Sequence, residues 1–175
     1  MTCVFLIGYR CTGKTTIGKL VAKMLDRPFL DTDRRIEDRF KTSIANMVKT
    51  KGWEYFRQQE SQTLSLIDLS KAPIVATGGG IVLAAENRKW IKNSGLAVWL
   101  DADASTLISR ILADPNSARL RPSLTQADLE EETIAMLNER TPLYRNLAHI
   151  KINTADHTPE AAADLIKRRL DHDRL

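Results

Sequence analysis

The 175-residue sequence predicts a three-layer α/β/α fold in which helices cover both faces of a five-stranded parallel sheet. Three observations predict it. Short, continuously apolar runs recur along the chain, as strands buried on both faces require. Helical apolar spacing fills the stretches between them, the alternation that produces parallel sheets through crossover connections. A glycine-bearing turn, Gly8-Tyr-Arg-Cys-Thr-Gly-Lys-Thr15, stands between the first apolar run and the first helical pattern.

The elements follow in order. The first strand is read at Val4 to Ile7, and past the turn Ile17, Leu20, Val21 and Met24 recur at helical spacing. That spacing sets Lys14 and Thr15 at a helix N-terminus, where the dipole favours anions. A second strand is read at Pro28 to Leu30, followed by a helical pattern through Ile36 and Phe40. Ile44, Met47 and Val48 share one helix face, and Phe56, Glu60, Leu64 and Ile67 share another. Strands are read at Ile74 to Thr77 and Leu96 to Leu100, then a helix carrying Leu107, Ile108, Ile111 and Leu112. The last strand is read at His149 to Ile152. In the final helix Thr158 caps, Pro159 takes the first position, and Ala162, Leu165, Ile166 and Leu170 form the buried stripe. Trp53, Trp90 and Trp99 lie on apolar faces and are expected in the core. The polar stretch from Asp114 to Gln126 breaks periodicity and holds Arg119 and Arg121, so it reads as a lid.

Composition bounds the function. A hydrophobic content of 43% suits one soluble domain over residues 1–175, and no leader or membrane-spanning run is visible, so a cytoplasmic protein is expected. Cys3 and Cys11 are too few and too badly placed for a disulfide framework or a zinc site. The net charge of +4 comes from 26 basic and 22 acidic residues without a long basic block, which argues against nucleic acid and suits small anionic ligands. A monomer is expected.

The turn has the spacing of a phosphate-binding loop: backbone N–H groups wrap a phosphate, the Lys14 ammonium neutralises it, and the Thr15 hydroxyl meets Mg²⁺. The loop carries Cys11 where many carry a further glycine. Asp31-Thr32-Asp33 follows the second strand, at the edge where parallel sheets place ligands. If the extended chain continues, Asp31 and Asp33 point to the same side; one would serve the metal and the other a substrate hydroxyl, while a helix cap is the plain alternative for Asp33. Gly78-Gly79-Gly80 ends a strand where ligand and backbone can approach closely. Arg57 and Glu60, three apart, read alone as a surface ion pair, and Arg140 near Tyr144 as a helix-end cation. Together, two arginines can clamp a carboxylate. Asp101 imitates a metal-binding acid at a strand end, but Asp31 and Asp33 already supply that chemistry. His149, His157 and His172 lack ligand spacing.

Gly8 to Thr15, Asp31-Thr32-Asp33, Gly52-Trp-Glu-Tyr-Phe-Arg57 with Glu60, Gly78 to Gly80, Arg121-Pro122 and Glu139-Arg-Thr-Pro-Leu-Tyr144 resemble shikimate kinase over nearly the whole chain. The resemblance implies transfer of the γ-phosphoryl group of MgATP to the 3-hydroxyl of shikimate, giving shikimate 3-phosphate and ADP in aromatic amino-acid biosynthesis. It implies a nucleoside-monophosphate-kinase fold with the loop strand central, a lid near 114–127 and a substrate-binding helical region near 33–61. It assigns Gly8, Arg10, Cys11, Thr12, Gly13, Lys14, Thr15 and Thr16 to the nucleotide, with Arg110 against adenine and Arg121 arriving on the lid. Thr15 and Asp31 serve Mg²⁺. Asp33, Arg57, Gly78, Gly79, Gly80 and Arg140 serve shikimate, and Lys14, Asp33 and Arg121 serve the transfer itself. A kinase of another small polyol acid such as gluconate, or a catalytically silent nucleotide-binding module, shares parts of this pattern; Asp33, Arg57 and Arg140 together favour the first reading.

Overall fold

The apolar run Cys3–Ile7 forms β1, and every one of its residues is buried. The computed structural model describes residues 2–114 and 126–172. After β1 come α1 (Lys14–Leu25), β2 (Phe29–Asp31), α2 (Thr32–Phe40), α3 (Ile44–Ser65), β3 (Ile74–Ala76) and α4 (Ala85–Ser94). The chain continues through β4 (Gly95–Asp101), α5 (Ala104–Ala113), α6 (Gln126–Leu147), β5 (Ile150–Asn153) and α7 (Pro159–His172). All strand pairs are parallel, in the order β2-β3-β1-β4-β5, so the loop-bearing strand is central as expected.

Alternation along β1 divides the core. Val4 and Leu6 face Ile17 and Val21 of α1 and Ala162, Ile166 and Leu170 of α7. Cys3, Phe5 and Ile7 face the other layer, with Leu64, Ile91, Tyr144 and Leu147. Each fully buried branched side chain contributes roughly 1.5–3 kcal/mol relative to exposure, and both layers close over the same strand. The final helix starts as the sequence indicates, with the Thr158 hydroxyl accepting from the Ala161 N–H at 3.2 Å.

Three expectations need correction. The second helix begins at Thr32, directly after β2, so Asp33 lies on a helix and strand alternation does not apply to it. Helix α3 breaks at Gly52, whose φ of 82° lies outside the helical region; the turn that follows carries Trp53 outward, 51% exposed, instead of into the core. Leu112, read as part of a buried face, is 57% exposed. Trp99 is buried and Trp90 packs partly buried against the same layer, as expected. Among the described residues no helix is long and apolar enough to cross a membrane. Arg119, Arg121 and the 115–125 part of the expected lid lie outside the described residues.

Candidate active site

The sheet order brings the loop after β1 beside the carboxyl ends of β2 and β3. Lys14, first residue of α1, turns its ammonium back onto the loop, donating to Gly8 O at 2.9 Å and Tyr9 O at 2.6 Å. Burial lowers its pKa to about 8, opposed by the nearby Asp33 and Asp31 carboxylates. The Thr12 hydroxyl donates to Tyr9 O at 2.8 Å and stiffens the same turn. Cys11, in the place of a glycine, takes a left-handed φ of 60°. That conformation costs a side-chain-bearing residue about 1–2 kcal/mol, so the loop is held under modest strain by its anchors.

Asp31 joins two functions at the end of β2. One carboxylate oxygen caps α2, accepting from the Asp33 N–H at 3.1 Å and the Arg34 N–H at 3.2 Å. The other accepts from the Thr15 hydroxyl at 2.7 Å. The cap is therefore Asp31, which frees the Asp33 side chain for other work. Thr32, wholly buried, accepts from the Gly78 N–H at 3.0 Å and ties the acid pair to the glycine triad; nothing in the sequence pattern marked that tether.

Asp33 is the most perturbed acid of the site. Burial raises its pKa to about 7, Glu60 and Asp31 add to the rise, and Lys14 opposes it. Its Oδ1 is buried without a hydrogen-bond partner. Glu60, 1% exposed, is far from the surface pair its spacing suggested: it is bound by the Arg57 guanidinium, and burial raises its pKa despite that partner. Arg57 also lies over the rings of Trp53 and Phe56, its Cζ 5.3 and 5.2 Å from their centroids.

The glycine triad leaves room for these groups. A Cβ on Gly78 would run into Glu60 Oε1 and Asp33 Oδ1, and one on Gly80 into the Arg57 guanidinium. Gly80→Ala is therefore expected to push Arg57 off its position and raise the acceptor KM at least about tenfold, with the ATP KM unchanged. Steady-state kinetics with each substrate varied checks this. From α6, Arg140 is 8% exposed and donates to Gly79 O at 3.3 Å, and the Tyr144 hydroxyl donates to the same carbonyl. Burial pushes the Tyr144 phenol up, so it stays a donor.

A cleft of about 1110 Å³ opens among the acceptor-side groups. Asp33, Gly78, Gly79, Gly80, Arg57, Glu60 and Arg140 border it, with Tyr9, Ile44, Trp53 and Phe56 as apolar wall. The apolar wall was not read from sequence; Gly52 immediately before Trp53 was the available signal. Arg10, expected on the nucleotide, borders this cleft as well. Arg110 of α5 is latched by Thr154, donating to its hydroxyl at 3.0 Å and its carbonyl at 2.7 Å, and reaches Cys11 O at 3.4 Å. Asp101 pairs with Lys151 at 2.9 Å, and His149 accepts from the Ala97 N–H at 3.0 Å.

A family model described as shikimate kinase matches residues 10–171. The chain belongs to the shikimate kinase family. As a member of that family it is 39% identical over 168 residues to shikimate kinase 2 of Escherichia fergusonii, covering 96% of this chain and 91% of the relative. It is 39% identical over 180 residues to the shikimate kinase of Syntrophus aciditrophicus, covering 98% and 92%. Among solved structures, a shikimate kinase from Acinetobacter baumannii in complex with shikimate matches with a TM-score of 0.91 at 31% identity, covering 100% of this chain and 96% of that one. The shikimate kinase resemblance drawn from short motifs thus extends through the whole fold.

Proposed function

We propose that this protein transfers the γ-phosphoryl group of MgATP to the 3-hydroxyl of shikimate, giving shikimate 3-phosphate and ADP in aromatic amino-acid biosynthesis. One observation carries the reading. A buried, high-pKa Asp33 stands in the same cleft as two arginines, Arg57 and Arg140, and next to the glycine triad. A polyol acid presents a hydroxyl to deprotonate and a carboxylate to hold, and this cleft has a group for each.

Each residue then has a task. Lys14, at the N-terminus of α1, exchanges its loop carbonyls for phosphate oxygens, and the backbone from Gly8 through Gly13 to Thr16 surrounds the triphosphate, with Arg110 against the adenine. The Thr15 hydroxyl and the Asp31 carboxylate, 2.7 Å apart, are oxygen donors of the kind Mg²⁺ accepts alongside phosphate and water. No cluster of three acidic, cysteine or histidine ligands exists among the described residues, which fits an ion held mainly by phosphate and water. When bound, Mg²⁺ neutralises charge on the phosphates. Asp33 orients the 3-hydroxyl and takes its proton as the oxygen attacks phosphorus. Arg57 and Arg140 hold the carboxylate, and Glu60 fixes Arg57. The lid near 114–127 brings Arg121 to the transferring group and excludes water, while the helical region 33–61 carries the acceptor.

The free Cys3 and Cys11 suit the reducing cytoplasm. The deciding experiment is a coupled ADP-release assay with shikimate, quinate and gluconate. Shikimate-dependent turnover far above the other two is expected. Turnover with gluconate alone would move the assignment to another polyol acid, and none with any acceptor would leave a nucleotide-binding module.

A further inference from the structure

We propose that Arg10 is a third guanidinium of the acceptor site, holding the acceptor's carboxylate together with Arg57 and Arg140 and not the nucleotide. This rests on the cleft being the site of a carboxylate-bearing acceptor. The loop's peptide N–H groups suit a phosphate, but Arg10 borders the cleft that Arg57, Gly79 and Arg140 also line. Its Cζ lies 5.8 Å from the centroid of the Tyr9 ring, and that of Arg140 lies 5.9 Å from the same ring. One buried aromatic therefore carries two cations. Arg140 also donates to the carbonyl of Gly79, and Gly79 packs on the loop, where a Cβ would stand 3.4 Å from the backbone nitrogen of Arg10.

The donors are the second line of argument. Nε and Nη2 of Arg10 are buried and have no hydrogen-bond partner, and neither has Nε of Arg140. Arg57, by contrast, already faces Glu60. Buried guanidinium donors without acceptors are rare in folded proteins, because their desolvation goes uncompensated. Two such guanidinium groups on one ring, bordering a cleft, mark the place of an anion that arrives with the ligand. A carboxylate has two oxygens and about four acceptor positions, enough for more than one planar fork. The triphosphate already has a helix N-terminus, Lys14 and Thr15.

The test compares the wild type with Arg10→Met and Arg10→Lys, using calorimetric binding of shikimate and of its methyl ester, and the KM for ATP. Arg10→Met is expected to weaken shikimate about tenfold, about 1.4 kcal/mol, while the ester, which lacks the charge, binds both proteins alike and the ATP KM stays within about twofold. Arg10→Lys recovers part of the loss. An equal loss for acid and ester, or a change in ATP instead of shikimate, overturns the proposal, as does unchanged shikimate binding in Arg10→Met. A wild type that binds no shikimate removes the substrate reading and this inference together, whereas a wild type that binds it normally beside an unaffected Arg10→Met removes only the inference.

Discussion

Asp33→Asn is expected to lower kcat by about 10²–10⁴-fold, the range lost with a general base, while ATP still binds. The amide keeps the volume and one acceptor oxygen but cannot take the proton. The pH profile makes the expectation sharper. With a pKa of about 7 in the free protein, Asp33 is mostly protonated below neutrality, so kcat/KM for shikimate should rise with pH and level off above about 7. The variant's residual activity should lack that rise. A wild-type profile flat from pH 5.5 to 8 would remove Asp33 as the base.

Stability responds with a definite sign. The folded pKa of Asp33 is raised from 3.8 to about 7, so between those values the native state holds a proton that the unfolded chain has lost. Stability falls as pH rises through that window. The midpoint of denaturant unfolding should therefore shift in favour of Asp33→Asn relative to wild type between pH 5 and 7.5, by at least about 1 kcal/mol on the scale of 1.36 kcal/mol per unit. An unchanged gap would mean that Asp33 is more solvated than its burial indicates.

Arg57→Ala is the second large effect, and it separates into two parts. Loss of a charge-assisted contact to the acceptor, worth roughly 1.5–3 kcal/mol, raises the shikimate KM between about tenfold and a hundredfold. Removal of the cation also strands Glu60, 1% exposed, and breaking a buried pair from one side costs roughly 3–5 kcal/mol. Adding Glu60→Gln should restore most of the stability and none of the affinity. Denaturant titration and shikimate kinetics on the single and double variants read the two parts independently. A shikimate KM unchanged in Arg57→Ala would leave Arg57 a purely structural partner of Glu60.

The fold was legible because its signals are local. The apolar runs at Val4, Ile74 and Leu96 could be buried only as strands, and the loop between a strand and a helix fixed the order of the first layer. Polar positions carried less information. Asp31, Thr32 and Asp33 straddle a strand end and a helix start, and only the cap bonds from Asp33 N and Arg34 N to Asp31 decide which residue begins the helix. The Arg57 and Glu60 spacing is equally common on exposed helices; burial of Glu60 beneath Gly78, a contact between segments far apart in sequence, separates a site from a surface pair. The break at Gly52 interrupts periodicity for a single residue, too brief for a hydrophobic pattern to register, and it decides where Trp53 faces. Arg10 belongs to a motif that predicts backbone contacts well and is silent about where the variable side chains go.

The phosphate loop is tied together by its own lysine. With its ammonium resting on Gly8 O and Tyr9 O, Lys14 has shed most of its hydration during folding, and an incoming triphosphate has only to outcompete two peptide oxygens instead of a full shell of solvent.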